Sequence, residues 1–187
     1  LNTQASQREV EFWIQDSGCR LLFFTSNLSM RLEVDVVGLT WDGVQVLIDE
    51  SKTDVTSIPS DADVQLADVA TIIYTSGTTG NPKGAVHLHR CVPGNDPSVL
   101  FWQQGRDDDL LTHTGDLNWI FPLGNGFLYP WRWGFSTFIY DGKFNAERWF
   151  ELMEKYKITN LASVPTAYRL FVTVKDAEKN YDLSPLR

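Results

Sequence analysis

Positive charge is scarce in this sequence. Its 187 residues carry 16 Lys and Arg against 24 Asp and Glu, a formal net charge of −8. A nucleic-acid surface needs clustered Lys and Arg, so the balance argues against that class of partner. Long apolar runs are lacking as well. A membrane span needs about 18 uninterrupted apolar residues. The most apolar stretch, residues 119–133, is broken by Pro122, Gly124, Asn125, Gly126, Pro130 and Arg132. No basic segment followed by an apolar one opens the chain, so no signal peptide is read and a cytoplasmic location is expected. Cysteine is nearly absent, and Cys19 and Cys91 have no motif spacing. Two free intracellular thiols are the plain reading, and a disulfide between them stays open.

What is present suits a folded chain. Apolar residues make up 43% and charged residues 21%, so wholesale disorder is not expected. The length corresponds to one domain of roughly 150 residues or a little more. Seven Trp, six Tyr and eleven Phe imply a thick core, or surfaces covered by something else. Residue 1 is Leu, not Met, and the chain stops at Arg187 after a Leu-Ser-Pro-Leu turn; both ends read as cuts inside a longer chain.

Periodicity favours an α/β fold. Residues 5–16 place Val10, Trp13 and Ile14 on one helical face, and Gly18 ends the helix. Residues 20–25 form a short apolar run read as a buried strand. Helix and buried strand together are half of a βαβ unit. Further strands are expected over 34–39, 44–48, 69–74, 110–114, 135–140 and 158–163. Residues 49–68 read as a polar linker, and 85–109 as a mixed stretch whose Pro93, Gly94 and Pro97 argue against one long helix. Residues 117–131 read as a buried helix kinked or broken at its glycines and prolines. An amphipathic helix is expected over 146–156, and another starts at Pro165.

The informative segment is a loop behind the strand at 69–74. Thr75-Ser76-Gly77-Thr78-Thr79-Gly80-Asn81-Pro82-Lys83-Gly84 holds four hydroxyl residues, three glycines and one lysine. Glycines let backbone N–H groups approach an anion closely, and successive N–H groups form a nest for it. Hydroxyls add donors, and Lys83 adds a mobile positive charge. A Walker A loop is not satisfied, because no glycine precedes Lys83 and Gly84 replaces the hydroxyl residue. The dinucleotide pattern G-x-G-x-x-G fails too. By composition alone, a flexible Ser/Thr/Gly linker remains the alternative.

The ten positions from Thr75 to Gly84 resemble the signature of the adenylate-forming enzymes: acyl-CoA synthetases, luciferases and peptide-synthetase adenylation domains. Further stretches resemble acetyl-, propionyl- and medium-chain acyl-CoA synthetases. They are the helix and strand at 9–24, the run Asp116-Leu117-Asn118-Trp119, Gly134, Tyr140-Asp141-Gly142, and the segments at 154–160 and 164–169. The resemblance implies a layered α/β sheet with flanking helices. Residues 1–187 would be a partial AMP-binding domain, with 1–68 as a preceding α/β segment and 69–187 carrying the phosphate loop and acyl pocket. It also implies ATP, Mg²⁺ and coenzyme A, a carboxylic acid as substrate, and an acyl-adenylate intermediate. Thr75, Ser76, Gly77, Thr78, Thr79, Gly80 and Lys83 would hold the phosphates. Lys83 and His89 would be catalytic, with His89 near the acyl carboxylate and phosphates. Trp119, Ile120 and Phe121 would wall the acyl pocket.

The family's later motifs and its small C-terminal domain are absent from the sequence. The parent is therefore expected to be an acid–thiol ligase, and residues 1–187 alone are expected to be inactive. Self-association is expected through surfaces that truncation uncovers. Two other readings stay open: a non-catalytic piece that binds only phosphate or a protein partner, and a peptide-synthetase adenylation domain.

The remaining candidates are plainer. His87 and His89 would share a face on a strand, but no third or fourth metal ligand shows a suggestive spacing, so no metal site is assigned. A packed, hydrogen-bonded histidine is the alternative role for His89. Ordinary core is the alternative for Trp119, Ile120 and Phe121. Asp107, Asp108 and Asp109 read as a solvated acidic turn. Asp116 is placed to cap the helix after it.

Overall fold

The computed structural model describes residues 5–24, 37–40, 63–75 and 81–187. They belong to two compact units, Leu1–His87 and Leu88–Arg187.

The first unit opens with α1 (Gln7–Ser17). Ser6 and Glu9 form a reciprocal capping box: the Ser6 N–H donates to Glu9 Oε2 at 2.8 Å, and Ser6 Oγ accepts from the Glu9 N–H. Gly18 closes the helix at φ 66°, a left-handed turn that a glycine enters without a Cβ clash. Val10 and Ile14, one turn apart, bury against Ala5 and Leu22. Leu22 belongs to β1 (Leu21–Phe24), which pairs in parallel with β2 (Val37–Thr40), Leu21 opposite Val37. The expected strand at 34–39 thus appears from residue 37. Residue 25, residues 34–36, the strand expected at 44–48 and the linker over 49–62 lie outside the described residues.

β3 (Val69–Thr75) pairs with β4 (Lys83–Leu88). Tyr74 on β3 anchors α1. Its hydroxyl donates to Asp16 Oδ2 at 2.6 Å, and its ring lies 6.0 Å from Trp13. Burial, then the Asp16 carboxylate, push the Tyr74 phenol up to about 12. The opening of the stretch read as mixed, residues 85–88, is strand; its side chains are exposed or half-buried and give no clean alternation.

The second unit is built on β5 (Leu110–His113), the centre of a three-stranded parallel sheet ordered β6-β5-β7. β6 spans Ser136–Phe138 and β7 Asn160–Ala162; Leu111 faces Thr137 on one side and Asn160 on the other. Successive β5 side chains point to opposite faces, so each face carries its own layer. Leu110 packs with Trp149, Phe150, Met153, Ile158 and Phe171. Leu111 packs with Val99, Tyr129 and Phe135. This is the layered sheet with flanking helices that the resemblance implies.

Short α2 (Cys91–Gly94) and a π-helical turn (Ser98–Gln103) precede β5. Between β5 and β6 runs a helical stretch of α3 (Ile120–Leu123), a π-helical segment (Gly124–Leu128) and α4 (Tyr129–Arg132). The helix expected over 117–131 therefore starts three residues late, and its break takes the form of a π segment. Trp119 occupies the N-cap position without a side-chain cap bond, so Asp116 does not cap this helix; its carbonyl accepts the Trp119 N–H instead. α5 (Ala146–Tyr156) is capped by Asn145, whose Oδ1 accepts the Arg148 N–H at 2.8 Å. α6 (Pro165–Phe171) begins at Pro165, where a missing N–H costs little, and α7 (Ala177–Asn180) follows. The observed β6 and β7 are the inner parts of the strands expected at 135–140 and 158–163.

Candidate active site

In the first unit, Thr75 ends β3 and Lys83 begins β4. The pairing of these strands holds both ends of the candidate phosphate loop on one small sheet. Both side chains are exposed. Ser76, Gly77, Thr78, Thr79 and Gly80 lie outside the described residues. The last glycine of the motif has a packing reason. A Cβ on Gly84 would come within 2.9 Å of Ile72 Cγ2 and 3.3 Å of the Tyr74 ring, so a larger residue would push β4 off β3.

His87 lies on β4, and His89 sits exposed on the turn that follows it. Among the described residues, no three His, Cys, Asp or Glu side chains gather as a metal group would require. The two cysteines are not joined in a disulfide, and Cys91 Sγ lies 3.9 Å from the Tyr129 hydroxyl oxygen.

In the second unit, Trp119 is 62% and Phe121 38% exposed, and Ile120 is half-buried. Phe121 is not part of a sealed core: its ring lies 5.8 Å from that of Trp102, itself exposed. On its other side is a residue that no motif marks. His113, the last residue of β5, is buried and meets Phe121 edge-on with ring centroids 5.0 Å apart. Its Nδ1 accepts the Gly115 N–H at 2.9 Å, and its Nε2 is buried with no hydrogen-bond partner. Burial holds the imidazole down to about 4, so the ring is neutral at ordinary pH.

Asn125, in the π segment, fastens this surface from behind. Its Oδ1 accepts from Ser98 Oγ at 2.7 Å, its amide donates to the Phe121 carbonyl at 3.2 Å, and its own carbonyl accepts from Gln103 Nε2 at 2.9 Å. One side chain and one carbonyl thus tie both π-helical segments together. Neither residue shows a sequence signal beyond a lone His ending an apolar run and a lone Asn between glycines.

The acidic turn needs correcting. Asp107 and Asp108 are exposed, but Asp109 is buried. It accepts the Arg106 N–H at 2.8 Å and Thr159 Oγ1 at 2.7 Å, and it pairs with Arg187. Burial pushes its carboxyl up, but the hydrogen bonds from Arg187, Thr159 and Arg106 outweigh this and leave it below its ordinary value. Asp109 is a structural tie between β5 and Thr159 rather than a solvated charge.

A β3–β4 pair that holds a hydroxyl- and glycine-rich loop, joined in one chain to a layered parallel sheet, agrees with the family comparison. The chain belongs to the AMP-binding enzyme family, which matches residues 1–187. Over 126 residues, 67% of this chain, it is 37% identical to an uncharacterized acyl–CoA ligase, YtcI, of Bacillus subtilis (strain 168), and the match covers 24% of that protein. Over 115 residues, 61% of this chain, it is 31% identical to the acetyl-coenzyme A synthetase of the same organism, covering 20% of it. The anthranilate CoA ligase AuaEII, solved with anthranoyl-AMP, superposes with a TM-score of 0.81 at 22% identity, over 100% of this chain and 38% of that one. The chain therefore spans a quarter or less of the length of these two curated relatives.

No helix of the described residues is long and apolar enough to cross a membrane.

Proposed function

We propose that the chain is part of an ATP-dependent acyl-CoA synthetase, with residues 1–68 leading into a segment, 69–187, that carries the phosphate loop and an acyl-binding surface. The observation that carries this reading is the loop's setting. Thr75 and Lys83 end two paired strands, and the ten residues from Thr75 to Gly84 match a phosphate-gripping signature.

The first half-reaction joins a carboxylate oxygen to the α-phosphorus of ATP as the bond to the pyrophosphate oxygen breaks. Two anions must meet, so the site has to gather donors and positive charge around the β- and γ-phosphates. Thr75, Ser76, Thr78 and Thr79 supply hydroxyls, Gly77 and Gly80 let the backbone approach, and Lys83 neutralises the departing pyrophosphate. Mg²⁺ bound together with the triphosphate would shield its charges. His89 stands near the reacting carboxylate in this proposal. In the second half-reaction the coenzyme A sulfur attacks the acyl carbon and AMP leaves. Trp119, Ile120 and Phe121 wall the acyl chain. The exposed Phe101, Trp102, Trp119 and Trp131 support self-association of residues 1–187 when they stand alone. A cytoplasmic location goes with the same reading.

Lys83→Ala tests the assignment in the full-length protein. It should slow ATP–pyrophosphate exchange about a hundredfold while leaving thiol transfer from preformed acyl-adenylate within about threefold, because its charge partner exists only in the first step. Equal losses in both steps, or in neither, would rule out the role.

A further inference from the structure

The reading above uses the surface around Phe121 and leaves His113 unexplained. β5 is the central strand of the β6-β5-β7 sheet, and His113 ends it. In parallel α/β sheets, ligands gather beyond the carboxyl ends of the strands where the strand order reverses. Here that end is also polar: Thr114 Oγ1 and Ser163 Oγ, just past β5 and β7, hydrogen-bond to each other.

The imidazole is clamped there. Gly126 leaves room for it, since a Cβ at that position would come within 2.7 Å of His113 Cβ, and a Cβ on Gly115 would lie 3.2 Å from the ring. Phe121 closes a further side edge-on, at an interplanar angle of 86°. Because Nδ1 accepts the Gly115 N–H, the ring's proton sits on Nε2. That N–H is buried in a residue only 6% exposed and has no acceptor. Buried donors are almost always paired, so a fixed orphan donor calls for a missing acceptor. Phe121, in edge contact with the ring, is 38% exposed, so an acyl chain laid against Phe121 would lie one aromatic ring away from the imidazole.

We propose that His113 is a specificity-determining residue: its Nε2–H donates to an uncharged oxygen in the acyl chain, so that the preferred carboxylic acid bears a hydroxyl, oxo or ether oxygen beyond its carboxylate. The inference rests on the acyl-CoA synthetase reading. A neutral single donor against an aromatic face suits a neutral acceptor. A second carboxylate would draw a proton onto the ring, which burial opposes.

The test uses the full-length protein and a series of straight-chain acids, each paired with analogues in which one methylene is replaced by a carbonyl, a hydroxymethylene or an ether oxygen. The native protein should show a kcat/KM at least about tenfold higher for its best oxygen-bearing acid than for the carbon analogue. His113→Phe should abolish that ratio with the KM for ATP unchanged, and His113→Gln, which keeps an N–H donor, should restore part of it. In parallel, the Hε2 proton of isotope-labelled His113 is followed by NMR during titration with the same acids; it should move downfield with the oxygen-bearing acid and stay in place with its partner. A ratio that survives His113→Phe overturns the proposal, as does an equal loss for both acids. Absence of the NMR shift across the whole series overturns it independently, and then a buried water is the acceptor. A shift without any acid-dependent exchange upholds the hydrogen bond and rejects the synthetase reading instead.

Discussion

The two units carry their candidate chemistry on very different supports. In the first, neither β3 nor β4 contains a fully buried side chain, although they hold the ends of the proposed phosphate loop. In the second, three of the four β5 residues are buried, and the last of them is His113. Regions with few buried contacts open at low free energy, whereas packed strands hold a side chain in one place. The proposed chemistry uses the two in matching ways. A loop that closes on a triphosphate and then releases pyrophosphate benefits from a loose frame. A surface that tells one acid from another needs a rigid one.

The largest expected effect probes the packed unit. Trp149 is 1% exposed and takes the edges of Phe138 and Tyr140. Trp149→Ala should cost about 3–5 kcal/mol in urea denaturation, against about 2 kcal/mol for Ile14→Ala, whose small cluster can collapse. A Trp149→Ala loss no larger than that of Ile14→Ala would erase the contrast.

Next comes pH. An unfolded histidine takes up its proton near 6.5, and folded His113 only near about 4. Between those values the unfolded chain binds the additional proton, so this contribution is full above pH 6.5 and is lost as pH falls toward 4. The loss reaches up to roughly 3 kcal/mol. Denaturation midpoints across that window should fall for the native chain, and the slope should flatten in His113→Phe. An unchanged slope would place the buried base elsewhere.

The smallest effect is a control. Ser6 and Asn145 cap α1 and α5, one in each unit, with a side-chain oxygen accepting an N–H three residues on. Ser6→Ala and Asn145→Ala should each cost about 1 kcal/mol. A marked inequality would move the difference between the units from their cores to their helix ends.

Local signals made much of this fold legible. α5 coincides with its expected span because Asn145, the amphipathic spacing and the sheet behind it all agree. α1 reads well at its far end because Gly18 marks it, whereas the Ser6–Glu9 capping box places its start two residues later than the span expected from periodicity. β4 was hidden because its side chains are exposed or half-buried with no alternation to detect. The π segments were hidden for another reason: a widened turn has no residue signature, and Gly124 and Gly126 read simply as breaks. Of the candidate site, the proposed phosphate loop stands out in the sequence because its glycines and hydroxyls fall in one short run that resembles a family signature. His113 and Asn125 are not, because an orphan donor and a three-way tie exist only once strands and helices have packed. Asp109 was misread for the same reason, since Thr159 and Arg187, far along the chain, take it out of water.

The π segment at Gly124–Leu128 amounts to a surplus residue stored inside a helix. Deleting one residue here would let the turn close to ordinary α-helical width with little change in the direction of Trp119 and Phe121, because a wide turn takes up its extra residue locally. What the deletion would cost is the tie at Asn125, whose amide and carbonyl reach Phe121 and Gln103 from within the wide turn. The surplus residue therefore braces the proposed acyl surface from behind without turning it.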